Sequence, residues 1–443
     1  MVSVGSHLGH SYGQGHALAD VRCANVQASN EERMNAKMKK FLALSLALVM
    51  ALGLAACGNG GSQTSTPPAE NSTPTESAPA DTTPAETTSD VKVAMITDYG
   101  DITDQSFNQT TYEACQAYCE PAGIPFEYYK PAGDSTPERV AMVDAAVADG
   151  YNVIVMPGYA FAETIKETAE LYPEVTFIAL DVGETDLNPL DENGNPPADP
   201  YVVPSNVYCA VYQEELCGYM AGYAAVKMGY THLGFLGGMA VPAVQRYGYG
   251  YVQGADAAAA ELGVDVTLEY AYGNQFFGDA DITAAMDNWY QSLGVEVVFA
   301  CGGGIYTSAA EAAAKVENGK VIGVDVDQAG IIDAYGEGMC ITSAMKGLAN
   351  TTQHLLDEVV NGSFANYGGQ IETLGLVSGD DPTANYVQLP METTQWSDTF
   401  TQDDYSALVK GMFDGTITVS NDVSVEPETL ATTITVNNYG NIK

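Results

Sequence analysis

The chain has 443 residues, 57 of them acidic and 16 basic, for a formal net charge of −41 at pH 7. That balance argues against nucleic acid as a partner, which needs clustered Lys and Arg to displace counterions, and against an anionic membrane surface held by charge alone. The length allows two domains with their own cores.

Residues 1–33 carry no structural pattern and precede Met34 and Met38, so they read as a mis-called start. Lys37, Lys39 and Lys40 then lead into an apolar run from Phe41 to Ala56 that closes on Leu54-Ala55-Ala56-Cys57. A basic stub, a short apolar core and small residues before a cut make a secretory signal. The run is shorter than the about 20 residues of a membrane helix. The cysteine after Leu-Ala-Ala resembles the bacterial lipobox, in which the thiol is lipidated and becomes the mature N-terminus. An ordinary cleaved signal or an anchor with a chance cysteine is the alternative. Residues 58–90, rich in Ser, Thr, Pro, Ala and Glu, read as a tether that cannot form a core. Residues 1–56 hold five basic and three acidic side chains; without them 11 basic stand against 54 acidic.

From Val91 short apolar runs alternate with helical stretches, which signals an α/β fold. Expected in order are a strand at 91–97, a helix at 106–119 stopped by Pro121-Ala122-Gly123, a strand at 125–129 and a helix at 137–149. A strand at 153–156, a helix at 160–171 and a strand at 176–180 follow, then a Pro/Asn/Asp/Gly-rich loop over 183–204. A second series begins with a helix at 214–228 and a strand at 232–236. It continues with a helix at 247–261, a strand at 267–270, a helix at 279–292 and a strand at 296–300. A helix at 306–317 and strands at 321–324 and 340–343 precede a helix at 348–360; the rest is weakly patterned. Two βα series of similar size predict two doubly wound lobes. Cys115, Cys119, Cys209, Cys217, Cys301 and Cys340 have neither metal-site spacing nor the density of a disulfide scaffold, and read as buried free thiols.

Ligands of such sheets bind beyond the carboxyl ends of the strands. The first exit runs Asp98-Tyr99-Gly100-Asp101-Ile102-Thr103-Asp104-Gln105-Ser106-Phe107-Asn108-Gln109. Thr103 or Asp104 could cap the following helix, setting Phe107 and Asn108 in its first turn. An aromatic face beside an amide that donates and accepts suits a heteroaromatic ring. Other exits carry Asp181-Val182-Gly183, Gly237-Gly238-Met239 with Arg246 and Tyr247 beyond, Cys301-Gly302-Gly303-Gly304 and Asp325-Val326-Asp327-Gln328. Glycine there permits close backbone approach, and an aspartate at a strand tip accepts from paired hydroxyls.

The segment around Asp104-Gln105-Ser106-Phe107-Asn108-Gln109 resembles the signature of the basic membrane protein family, substrate-binding lipoproteins of ABC transporters similar to purine nucleoside receptors. The resemblance continues in Tyr172-Pro173-Glu174-Val175, Gly218-Tyr219-Met220-Ala221-Gly222, Gly323 to Gln328 and Thr342-Ser343-Ala344-Met345-Lys346. It covers most of residues 91–350. It implies an α/β fold of two Rossmann-like doubly wound lobes joined by a hinge, the type I periplasmic-binding arrangement. The lobes would be 91–207 with 341–365, and 208–340 with 366–443. Phe107 and Tyr247 would stack on a base and Asn108 would read its edge. Asp181, Asp325 and Lys346 would hold the ribose, with Gly302 or Gly303 lining the pocket. Asp98 and Asp104 match as well, as ligand contacts or loop-shaping groups. Cys301 and Tyr306 depart from the family pattern. No cofactor or metal is implied. The expected partners are a nucleoside, an ABC permease and, through Cys57, the outer face of a bacterial membrane; the expected state is a monomer.

Two rivals stand beside this reading. Asp98, Asp101 and Asp104 faintly resemble the aspartates that hold calcium in nucleoside hydrolases, a chemistry that needs carboxylates converging on one ion and a water. After the leader the only histidines are His232 and His354, far from these exits. The second rival is a receptor of the same fold for a sugar or a signalling ligand, since fold alone does not settle function.

Overall fold

The computed structural model describes residues 90–191 and 193–443; the leader, Cys57 and residues 58–89 of the tether lie outside them. The first series comprises β1 (Val93–Ile96), α1 (Phe107–Ala122), β2 (Phe126–Tyr129), α2 (Thr136–Ala148), β3 (Val153–Pro157), α3 (Ala162–Thr168), β4 (Thr176–Leu180), α4 (Glu184–Leu187) and β5 (Val207–Tyr212). The second comprises α5 (Glu214–Lys227), β6 (His232–Gly237), α6 (Pro242–Leu262), β7 (Thr267–Tyr272), α7 (Ala280–Asn288), β8 (Val297–Cys301), α8 (Tyr306–Ala313), β9 (Lys320–Asp325), α9 (Ala329–Ile332) and β10 (Cys340–Lys346). After them come α10 (Leu348–Val360), β11 (Gln370–Leu374), β12 (Val387–Gln388), α11 (Gln402–Phe413) and β13 (Thr435–Asn441).

The strands form two sheets, ordered β11-β5-β4-β3-β1-β2 and β12-β10-β9-β8-β6-β7-β13. Every pairing is parallel except β12 on β10. Each series is therefore wound in the same order, second strand, first, third, fourth, fifth, which is the expected pair of doubly wound α/β lobes. Every residue of β1, β3 and β8 is buried, because helices cover both faces of a parallel sheet; hence the short continuous apolar runs in the sequence.

Sheet membership corrects the expected lobe boundaries. Val207–Tyr212 completes the first sheet beside β4, although the second lobe was expected to open at 208. Cys340–Lys346 completes the second sheet beside β9, although 341 was expected to return to the first. Gln370–Leu374 joins the first sheet beside β5, although it was assigned to the second. Parallel partners are distant in sequence, so a local pattern reports a strand but not its sheet. The chain thus crosses between lobes at Gln213, at Gly347 and over residues 375–386, and the crossings are bonded to one another: Gln213 N to Leu374 O at 2.9 Å, Gly347 N to Tyr386 O at 2.7 Å and Tyr386 N to Gly375 O at 3.0 Å. All six cysteines named above are free and buried.

Helix α6 starts at Pro242, five residues before the expected Tyr247, with proline in the first turn where its missing N–H costs nothing. It lies against α5 at backbone contact. A Cβ on Gly218 would fall 2.0 Å from Tyr247 O, on Gly222 2.2 Å from Tyr251 O, on Gly250 2.0 Å from Glu215 O and on Gly254 2.0 Å from Tyr219 O. Two Gly-x-x-x-Gly faces therefore interlock, and they fix where Glu214, Arg246 and Tyr247 stand. Gly250→Ala should destabilise the folded protein by about 1–3 kcal/mol, the range for overpacking. A urea midpoint equal to that of the parent would contradict the interlock.

Candidate functional site

The strand exits of both sheets face one cleft of about 340 Å³, within the range of small-molecule sites. Asp98, Asp104, Phe107, Asn108, Asp181, Tyr247, Gly302, Gly303, Asp325 and Lys346 all line it. So do Tyr99 and Arg246, which the sequence places at the exits without a ligand role, and Tyr159, Phe276 and Phe277, which it did not single out.

At the inner end stands the ammonium of Lys346, the last residue of β10 before the Gly347 crossing. It lies 2.5 Å from Asp181 Oδ2, 3.4 Å from Glu214 Oε1 and 3.7 Å from Asp325 Oδ1. The rings of Phe107, Tyr212 and Tyr247 surround it, with centroids at 4.7, 5.4 and 5.7 Å. Burial alone would lower its pKa; Asp181, Asp325 and Glu214 outweigh that and hold it above the usual lysine range. Asp181 directly follows β4 and Asp325 is the last residue of β9, the fourth strands of their respective lobes, and both take left-handed backbone, φ 58° and 66°. Burial pushes Asp181 up to about 6 against the pull of Lys346. Its Oδ1 is buried without a partner. Glu214, missed in the sequence, is wholly buried between Lys346 and Arg246, whose Nε lies 2.6 Å from Glu214 Oε2.

The first exit loop is organised by its aspartates. Asp98 Oδ1 accepts from Tyr99 N and Gly100 N at 2.6 and 2.7 Å. Asp104 accepts from the Ser106, Asn108 and Gln109 amides at 2.9–3.1 Å and so caps α1. The amide Nδ2 of Asn108 is directed at Asp98 Oδ1 (3.4 Å) and Asp104 Oδ2 (3.3 Å), which leaves Oδ1 as a buried acceptor without a partner. Asp101 pairs instead with Lys130 at 2.7 Å. The three loop aspartates therefore do not gather on one point, and among the described residues no group of three His, Cys, Asp or Glu side chains is arranged to hold a metal ion.

The aromatic walls differ in depth. Phe107 is half-buried, whereas Tyr247 is 2% exposed, edge-on to Phe299 at 5.8 Å, with its hydroxyl donating to Ala344 O at 3.3 Å. Farther out, the Tyr99 ring of the first lobe meets the Phe276 ring of the second at 6.4 Å, and the hydroxyls of Tyr99 and Tyr159 both face Met239 Sδ. The glycine exits serve Phe276. A Cβ on Gly238 would lie 2.4 Å from its ring, one on Gly302 2.9 Å from it, and one on Gly303 2.7 Å from its carbonyl oxygen. Gly302 and Gly303 also have φ of 141° and 53°, which a side chain would strain. The run Gln275-Phe276-Phe277-Gly278 was the signal available in the sequence: paired aromatics in a polar connection between a strand and a helix.

Two parallel α/β lobes, three crossings and a cleft lined from both strand-exit faces define a two-lobed solute-binding protein of the type I periplasmic-binding kind. Similar solved folds are an ABC transporter solute-binding protein from Aeropyrum pernix K1 (22% identical, TM-score 0.54, covering 77% of this chain and 90% of that one) and one from Conexibacter woesei DSM 14684 (21%, TM-score 0.56, 75% and 99%). Among sequences, the ABC transporter nucleoside-binding protein BmpA of Lactococcus lactis subsp. cremoris is 27% identical over 308 residues, 66% of this chain and 80% of the relative. Basic membrane protein B of Borreliella afzelii is 26% identical over 296 residues, with the same coverage. Residues 91–380 match the family described as ABC transporter substrate-binding protein PnrA-like, and the chain belongs to that family.

Lys346→Met would leave Asp181 and Asp325 without their cation in the interior, Glu214 keeping only Arg246, and should cost about 3–5 kcal/mol of stability at neutral pH; denaturant unfolding that matches the parent would refute the network. Glu215 gives a pH test. Burial and the adjacent Glu214 push it up to about 7, above its ordinary value of about 4.3. The folded protein therefore holds a proton that the unfolded chain releases between those values. This contribution to stability is complete below about pH 4 and is lost as pH rises through about 7. Glu215→Gln should flatten the rise of stability on acidification from about pH 8 to 5, read from urea midpoints; an unchanged slope would rule Glu215 out.

Proposed function

We propose that the protein captures a nucleoside, of purine type, in this cleft, closes over it and delivers it to an ABC permease, while a lipid on Cys57 holds it at the outer face of a bacterial membrane. The observation that carries this reading is the pair of buried acceptors without partners, Asn108 Oδ1 and Asp181 Oδ1, in one cleft with the Phe107 ring. A base N–H suits the first, a ribose hydroxyl the second, and the ring a base face. A hydroxyl donating to a carboxylate contributes roughly 1.5–3 kcal/mol. Lys346 is ringed by three carboxylates and Arg246 is bonded to Glu214, so a ligand phosphate would meet no free cation at the inner end; that favours nucleosides over nucleotides. The relative from Lactococcus lactis named as nucleoside-binding supports the same ligand class. In this reading Asp98 and Asp104 shape the loop that orients Asn108, and Tyr247 lines the inner wall beside Phe107.

Calorimetric titration with inosine, ribose and inosine monophosphate tests the ligand. Inosine should bind with micromolar or tighter affinity and the other two should not. Comparable affinity for inosine and its monophosphate would contradict the charge argument. Binding of ribose alone would favour a sugar receptor, and release of free base from inosine would point to an enzyme. Phe107→Ala should weaken inosine about tenfold or more, from the lost aromatic contact and its buried area; a change within about twofold would remove the stacking role.

A further inference from the structure

Two hydrogen bonds cross between the lobes beside the cleft, one in each direction, and of their four residues only Asp325 lines it. The Ser106 hydroxyl of the first lobe donates to Asp325 Oδ2 of the second at 2.5 Å. The Gln328 Nε2 of the second lobe donates to Gln105 O of the first at 2.9 Å. Ser106 is fully buried and Gln328 is 1% exposed. Neither is among the residues that line the cleft.

Gln328 is built to present that donor. Its Oε1 accepts from Val324 N at 2.9 Å, and its backbone N–H donates to Ser343 Oγ at 3.0 Å. The side chain folds back over Gly323, where a Cβ would lie 2.8 Å from Gln328 Cβ and 2.9 Å from its Oε1. On the opposite lobe Gln105 adopts left-handed backbone, φ 56°, and this turns its carbonyl to the second lobe; Asp325 has φ 66°. Two non-glycine residues in that region, one on each side of the interface, persist only where their surroundings over-determine them.

We propose that Ser106 and Gln328 are a clasp between the lobes, made of protein groups alone, which keeps a closed population in the empty protein and sets the carboxylate of Asp325 on closure. Ser106 and Gln328 are thus positioning residues. The clasp rests on closure of the two lobes, part of the reading above, but not on the identity of the ligand. With the clasp shut the inner site is covered, so a ligand enters during openings and association is gated.

Gln328→Glu separates the clasp from the local fold. It keeps an oxygen to accept from Val324 N and replaces the crossing donor with an oxygen facing the Gln105 carbonyl. Interlobe distances measured between paired spin labels on the two surfaces, in the ligand-free protein, read the result. The parent should show closed and open populations, and Gln328→Glu and Ser106→Ala should each lower the closed-to-open ratio about fivefold, with circular dichroism unchanged. A wholly open parent, or variants with the parent's ratio, overturns the clasp. Because no nucleoside is added, a protein that ignores inosine but shows this shift would reject the ligand and keep the clasp.

Discussion

The site depends on one buried ammonium. Lys346 is set at the end of the second sheet's fifth strand, one residue before a crossing, and Glu214 is set one residue after another crossing. Asp181 comes from the first lobe and Asp325 from the second. Burying these charges is unfavourable unless they meet, and Lys346 and Asp181 meet only when the lobes approach. A buried ion pair is weak evidence for stability in general; here it makes the arrangement of the lobes part of the electrostatics. The three rings around the ammonium keep water away while offering their own favourable field.

Such a network needs stiff supports. The interlocked glycines of α5 and α6 bring the two helices to backbone contact, so Glu214 and Arg246, at the starts of those helices, are placed to within the tolerance of a salt bridge. The left-handed turns at Asp181 and Asp325, each at the end of the fourth strand of its lobe, lift both carboxylates off the sheet ends into the same cleft. Because the two lobes share a winding order, one local device used twice yields two acids that face one lysine.

Much of this was legible in the sequence, and the limits have physical causes. Fully buried parallel strands appear as short apolar runs, and exits from such strands are where side chains reach the cleft, so Asp181, Asp325 and the Phe107-Asn108 turn could be read directly. Sheet membership could not, since Val207–Tyr212 and Gln370–Leu374 pair with Gln370 opposite Tyr208 and Ile371 opposite Cys209, far apart in sequence and with no local trace of it. Glu214 looked like an ordinary acidic helix start. Gly302 and Gly303 were read as room for a ligand, while the structure gives that room largely to Phe276. The polar β13 lacks the apolar alternation of a half-buried strand because it forms the outer edge of its sheet: it pairs with β7, and Tyr439 and Asn437 reach Glu269.

The chemistry of the cleft follows from what its groups have already satisfied. Asp98 and Asp104 hold backbone amides, and through the Asn108 amide they determine which end of that side chain remains open. Lys346 and Arg246 are held by carboxylates. What is left without a partner is a pair of acceptors, one amide oxygen and one carboxylate oxygen, at separate points of a partly aromatic wall. A buried acceptor left unmet costs about 1–3 kcal/mol, so closure is most favourable around a molecule that supplies donors at both points and brings no negative charge. In the function proposed above, the same acids that make the chain so anionic overall act, inside the cleft, as a filter for neutral, donor-bearing ligands.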